Sequence, residues 1–261
     1  MKFLALASTV LLAGSAVAAP GTKKRFENHE KRIAANRVKG APIHRVGSPE
    51  SVISNDSFVE YSSNWAGAIL IGTGYKSVTG TLTVPTPTTD GSGAAWVGID
   101  GDTCDTAILQ TGIDWTLSGG SITYDAWYEW YPDYSYDFSD ITLSAGDTVK
   151  VTVTASSETG GKAVIENVST GTTVTHTFSD EGSLGDLCEY NAEWIVEDYE
   201  EGSSLVSFAD FGTVTFTDCS ATDGSGTVGT SGATIIDIKQ SSEVLTSCSV
   251  PSSSEVSCTY V

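Results

Sequence analysis

Short stretches in which apolar and polar residues alternate recur through the chain: TGTLTV, AAWVGI, TVKVTVTA, KAVIENV, TVTHTF, LVSFADFGTVTFT, ATIIDI and VSCTYV. A period of two, rich in Val, Thr, Ile and aromatics, predicts strands with one face buried and one face wet. Turn-forming clusters separate them, among them PTPTTDGSG, LSGGS, SSETGGK and ATDGSGTVGTSG. Regular strand–turn spacing without an amphipathic helical pattern predicts an all-β fold, an antiparallel sandwich of two sheets.

Residues 124–140, YDAWYEWYPDYSYDFSD, break the alternation. Tyr124, Trp127, Tyr128, Trp130, Tyr131, Tyr134, Tyr136 and Phe138 cannot all face inward along an extended strand. Some of them must line a surface or groove, which is how extended polymers such as peptides or glycans are gripped.

The N-terminal stretch MKFLALASTVLLAGSAVAAP has an early Lys2, an apolar run too short to span a membrane, and small residues before Pro20. It reads as a secretory signal peptide over 1–19, so the mature protein is expected outside the cell. No other stretch approaches the length of a membrane span. Charge then divides the rest: residues 1–50 carry nine Lys or Arg against three Asp or Glu, whereas 51–261 carry four Lys, no Arg and thirty Asp or Glu. The two parts stand near +6 and −26. Residues 20–55 are too poor in large apolar side chains to bury a core and read as a basic propeptide; residues 56–261 are enough for one large all-β domain. An acidic body of this kind repels itself at neutral pH and loses that repulsion as its carboxyl groups protonate, so the composition suits work in acid. A basic segment ahead of it would be held at neutral pH and released on acidification. The propeptide is thus an expected inhibitor of its own domain. On the same reading the domain melts on the alkaline side of neutral, acts as a monomer, and has no nucleic-acid or membrane partner.

The five cysteines of a secreted chain imply disulfides with one thiol left over. Cys248 and Cys258 flank the turn-like PSSS symmetrically and could face each other across a hairpin, and Cys219 is the expected odd thiol. Zinc fits poorly, since no C-x-x-C spacing exists, and no metal or cofactor is expected. Sequons at Asn55 and Asn167 are compatible with surface glycosylation.

His176, in the strand-like VTHTF, is the one histidine of residues 56–261, so a histidine-dependent triad is poorly supported. The metallopeptidase motif H-E-x-x-H, the serine-hydrolase motif G-x-S-x-G and the Asp-Thr-Gly or Asp-Ser-Gly pairs of aspartic peptidases are all absent. What remains is carboxylate chemistry. Two polar side chains sit in otherwise apolar strands, Gln110 in AILQTGID and Glu197 in AEWIVEDY. Glu193 shares a strand face with Glu197, and strand spacing alone does not choose between them.

The blocks YSSNWAGAILIG (61–72), AWVGIDGDTCDTAILQTGID (95–114), YDAWYEWYPDYSYDFSDITLSAGD (124–147), AEWIVEDY (192–199) and FADFGTVTF (208–216) resemble, in order, those of the glutamic peptidases, the eqolisin family of fungal acid endopeptidases. The resemblance implies a concanavalin-like β-sandwich with a substrate cleft on the concave sheet. It places the family's catalytic pair on Gln110 and Glu197, against Glu193, and groove residues on Trp65, Trp96, Asp100 and Tyr128. It also implies a bridge between Cys104 and Cys188, which would close a loop worth about 4 kcal/mol in chain entropy. Two-chain members carry an excised basic insertion between SNWAG and AWVGID; here TPTTDGSG is short and has no base, so a single mature chain is expected. Two other readings suit the same sandwich: a glycoside hydrolase using Glu129 and Glu197, and a carbohydrate-binding wall protein in which neither Gln110 nor Glu197 matters.

Overall fold

The structure, a computed structural model, describes residues 37–38, 40–47 and 59–261. The signal-peptide reading and the sequon at Asn55 lie outside these residues. Two large sheets face each other. One has the strand order Thr172–Phe178, Gly160–Asn167, Thr148–Ser157, Ser77–Thr83, Thr213–Asp223, Glu255–Tyr260 and Thr246–Ser252. The other runs Glu243–Val244, Thr234–Gln240, Trp65–Ile71, Asn191–Glu197, Gly91–Ile99, Ile108–Ser118, Ser121–Tyr131 and Tyr136–Asp137. The strand ladders of the described residues are antiparallel apart from Val59–Ser62, which joins Thr234–Gln240 in parallel, and a single parallel bridge links Ser92 to Phe208. Among the described residues the helical content is one short 3₁₀ turn, Glu181–Ser183. This is the antiparallel sandwich expected from the pattern.

The first sheet follows the alternation closely. Thr148–Ser157 buries Val149, Val151, Val153 and Ala155 while Lys150 and Thr154 stay exposed. The second sheet does not: Trp65–Ile71 and Gly91–Ile99 are buried almost throughout, and Asn191–Glu197 entirely. One of its faces meets the other sheet in a core containing Trp115, Trp194 and Phe216. Its opposite face carries a second apolar cluster of Trp65, Ile69, Ala94, Trp96, Ile108, Trp127, Ile195, Tyr199 and Ile236. The expectation of one wet face therefore fails for the central strands of this sheet. They are covered on both sides and their sequences are correspondingly continuous in apolar residues.

Some local readings change. LVSFADFGTVTFT is not one strand: Ser204–Leu205 is a short pairing, and the long strand starts at Thr213, after Gly212 at φ 71°. Asn167 is fully buried, and its amide donates to the Thr142 carbonyl at 3.1 Å and to Asp147 Oδ2 at 2.9 Å. That engagement ties the Asn167 amide into the interior. Cys104 bridges Cys188, and Cys248 bridges Cys258 across the expected hairpin. Cys219 is the free, buried thiol, which burial pushes up to about 12.

Candidate active site

Alternation along the second sheet sends Trp65, Trp96, Gln110, Trp127, Glu129, Glu193 and Glu197 to one face. In the ladder, Gly98 stands opposite both Gln110 and Glu193, and Gln110 stands opposite Glu129. Glycine is required at that crossing, because a Cβ on Gly98 would lie 2.7 Å from Glu193 Oε1 and 2.7 Å from the Trp96 ring. Trp65 and Trp96 meet edge to face with centroids 4.9 Å apart.

Glu197 is fully buried. Trp96 Nε1 donates to its Oε2 at 2.8 Å, and Asn64 Nδ2 approaches its Oε1 at 3.4 Å. Burial drives its pKa well above the ordinary carboxylate value; the Trp96 bond and the Trp65 indole oppose that, while the charges of Glu129 and Asp198 add to it. Glu193 is also buried, and with no such donor to oppose it its pKa is raised by burial and then by Asp100 and Asp102. Gln110 Nε2 donates to the Gly40 carbonyl at 2.7 Å.

That last contact belongs to a strap formed by residues 40–46, which crosses this face. The Ala41 carbonyl accepts from Trp65 Nε1 at 2.9 Å, and the Pro42 carbonyl from Asn64 Nδ2 at 3.2 Å. Ile43 N–H donates to the Gly101 carbonyl at 3.1 Å, and His44 N–H to Asn64 Oδ1 at 2.8 Å. Residues 44–46 then pair with 61–63: Ser63 N–H donates to the His44 carbonyl and Val46 N–H to the Tyr61 carbonyl, each at 2.9 Å. Upstream, Arg37–Val38 pairs with Glu200–Glu201. Arg45 is ion-paired with Glu60 and with Asp102, the latter at 2.6 Å, and His44 Nδ1 lies 3.9 Å from Glu200. Gly40 leaves no room for a side chain, since a Cβ there would fall 1.9 Å from Gln110 Oε1.

Of the residues named from sequence, Trp65, Trp96, Gln110 and Glu197 come together here. Asp100 does not reach the strap with its side chain. Held at φ 73°, it accepts four backbone N–H groups, from Cys188, Glu189, Tyr190 and Asn191, at 2.7–3.2 Å. It thereby ties the Cys188 loop to the end of strand Gly91–Ile99, next to the Gly101 carbonyl that holds the strap. Tyr128 points to the opposite face of its sheet, where it stacks on His176 with ring centroids 3.9 Å apart and packs on the inter-sheet core. Asn64, which touches both Glu197 and the strap, was not singled out from sequence. It stands beside Trp65 in a block that matched the family, and an isolated Asn there carries no chemical signature. Among the described residues no group of His, Cys, Asp and Glu is placed to hold a metal.

The peptidase A4 family profile matches residues 63–260. The chain is 52% identical to aspergillopepsin-2 of Aspergillus niger and 45% identical to scytalidopepsin B of Scytalidium lignicola, each over the full length of both chains. A crystal structure of scytalido-glutamic peptidase with a transition-state analogue inhibitor superposes with a TM-score of 0.72 at 49% identity, covering 76% of this chain and 98% of that one. A β-sandwich bearing a buried carboxylate and an amide on one sheet face is thus the framework of a peptide-bond hydrolase. The chain belongs to the peptidase A4 family, the glutamic peptidases. Membership decides against the glycosidase and wall-protein readings.

Proposed function

We propose that the protein is a secreted endopeptidase active in acid, with Glu197 as general base and acid, Gln110 as oxyanion donor, and residues 20–55 as a propeptide that shuts the site. The observation that carries this reading is the Gly40 carbonyl bonded to the Gln110 amide at 2.7 Å, on the face that also holds Glu197. The strap lies where an extended substrate would lie, with a carbonyl on the group that would polarise it.

In the reaction Glu197 takes a proton from water as the water oxygen attacks the scissile carbonyl carbon. The Gln110 amide, neutral at every pH, donates to the oxygen as negative charge develops there. Protonated Glu197 then gives its proton to the departing nitrogen as the C–N bond breaks, leaving one carboxyl and one amine product. The Trp96 and Asn64 donors keep the carboxylate form of Glu197 accessible in acid. The covered form is silent for two reasons: the strap fills the substrate path, and burial holds the proton on Glu197. When the basic segment is released on acidification, the strap leaves and water reaches Glu197.

The test is hydrolysis of an unfolded protein near pH 3 by acid-treated wild type, Gln110→Ala, Glu197→Gln and Glu193→Gln. Wild type and Glu193→Gln are expected to cut, while Gln110→Ala loses about 10²–10³ in kcat and Glu197→Gln at least as much. A folded Glu197→Gln variant that keeps wild-type rate, or an inactive Glu193→Gln beside it, would reassign the base.

A further inference from the structure

The strap ends in a charged clasp that the reaction itself does not use. Arg45 reaches Asp102 Oδ1 through Nε at 3.2 Å and Nη2 at 2.6 Å, and also pairs with Glu60. The Asp102 side chain is only 1% exposed, and its Oδ2 has no hydrogen-bond partner among the described residues. Two carboxylates, Glu60 and Asp102, converge on this one guanidinium, so departure of Arg45 leaves a paired acidic site that favours another cation. Beside it a cavity of about 420 Å³ is lined by Asp102, Asp105, Tyr131 and Glu200 together with the strap's Ala41–His44.

Backbone contacts fix the distance from this clasp to the chemistry. Trp65, Asn64, Gly101 and the 61–63 edge grip the main chain of residues 41–46, and none of those bonds depends on a side chain of the strap. Any extended peptide can repeat them by adding itself to the same edge. On the reading given above, the carbonyl on Gln110 marks the scissile bond, so Arg45 stands in for the fifth residue beyond it.

We propose that in the mature enzyme Glu60 and Asp102 form a distal specificity site that selects an arginine or lysine at the fifth residue after the scissile bond of a protein substrate. Arginine is preferred, because its planar fork can engage both carboxylates at once whereas lysine offers a point charge.

The experiment uses acid-activated full-length protein and a set of peptides sharing one scissile bond and differing only five residues beyond it: arginine, its neutral isostere citrulline, or glutamate. Assays run at about pH 5, above the reference values of Asp and Glu side chains, about 3.9 and 4.3. Wild type is expected to favour arginine over citrulline about tenfold in kcat/KM, and glutamate is the poorest. The arginine-to-citrulline ratio falls to about one in the Glu60→Gln/Asp102→Asn double variant. Glu60→Gln alone, at the more exposed partner, lowers the ratio to roughly threefold and covers the case in which the double variant does not fold. Moving the arginine one residue either way abolishes the preference. Equal cleavage of the arginine and citrulline peptides by wild type overturns the proposal, as does a preference that survives Glu60→Gln undiminished. Failure of the underlying dyad reading looks different: Gln110→Ala would cut these peptides as fast as wild type.

Discussion

The indole N–H of Trp96 reaches Glu197 Oε2 at 2.8 Å diagonally across neighbouring strands, whose register sets Trp96 opposite Ile195 and Glu197 opposite Ala94. A donor fixed on a strand in this way stabilises the carboxylate against a buried setting that favours the acid. Trp96→Phe keeps most of the ring and removes the donor. Glu197 then protonates more readily, so the limb of the pH–rate profile on which activity rises with pH should move to higher pH, with kcat/KM near pH 3 falling about tenfold or more. A limb that does not move would mean that another group supplies the base.

Asp198 and Asp237 give stability its own pH dependence. Burial raises Asp198 from 3.8 to about 7 against the Gln240 hydrogen bond, and raises Asp237 to about 6 against its bonds from Cys248 and Thr246. Each group holds its proton more tightly folded than unfolded. The resulting stability is complete below the unfolded value near 4 and is lost as pH rises through about 6 and 7. The melting temperature should therefore fall between pH 4 and pH 7, in the same direction as the self-repulsion of the acidic body. Asp198→Asn should flatten part of that fall; a wild-type melting temperature equal at both pH values would contradict it.

Asp100 accepts four backbone N–H groups from one loop, so its removal orphans donors rather than a substrate contact. Asp100→Ala should cost about 3–5 kcal/mol of stability, read by denaturant or thermal unfolding. The decisive comparison is with KM: a folded variant with normal stability and a raised KM would return Asp100 to the list of groove residues.

Gly40 sits 1.9 Å, at its would-be Cβ, from the Gln110 amide oxygen. Gly40→Val cannot seat the strap in the same register. The unprocessed protein carrying it should cleave a fluorogenic peptide at pH 5, where the wild-type precursor stays silent. Continued latency of the variant would show that the lock resides elsewhere in the basic segment.

Part of this was legible along the chain. Alternation in TVKVTVTA or KAVIENV predicts a strand because period two matches the side-chain geometry of one, and the Cys248–Cys258 hairpin follows from a turn placed symmetrically between two thiols. The motif blocks single out Gln110 and Glu197 because they are local runs of sequence, and the structure sets both on one sheet face. Asp100 and Tyr128 travelled in the same blocks, and the structure sends one to a loop anchor and the other to the opposite face.

The sequence by itself determined the strand class, the separation of a basic first segment from an acidic body, and the family; the structure settled the cysteine pairs. Only the tertiary structure decided that the central sheet is buried on both faces and that Gly98 clears the space between Gln110 and Glu193. It also decided that Asn64 joins Glu197 to the strap and that Arg45 lands on Glu60 and Asp102. The physical reason is that alternation and charge are properties of neighbours along a chain, whereas burial, pKa and ion pairing depend on which distant strands the folded sheets bring together.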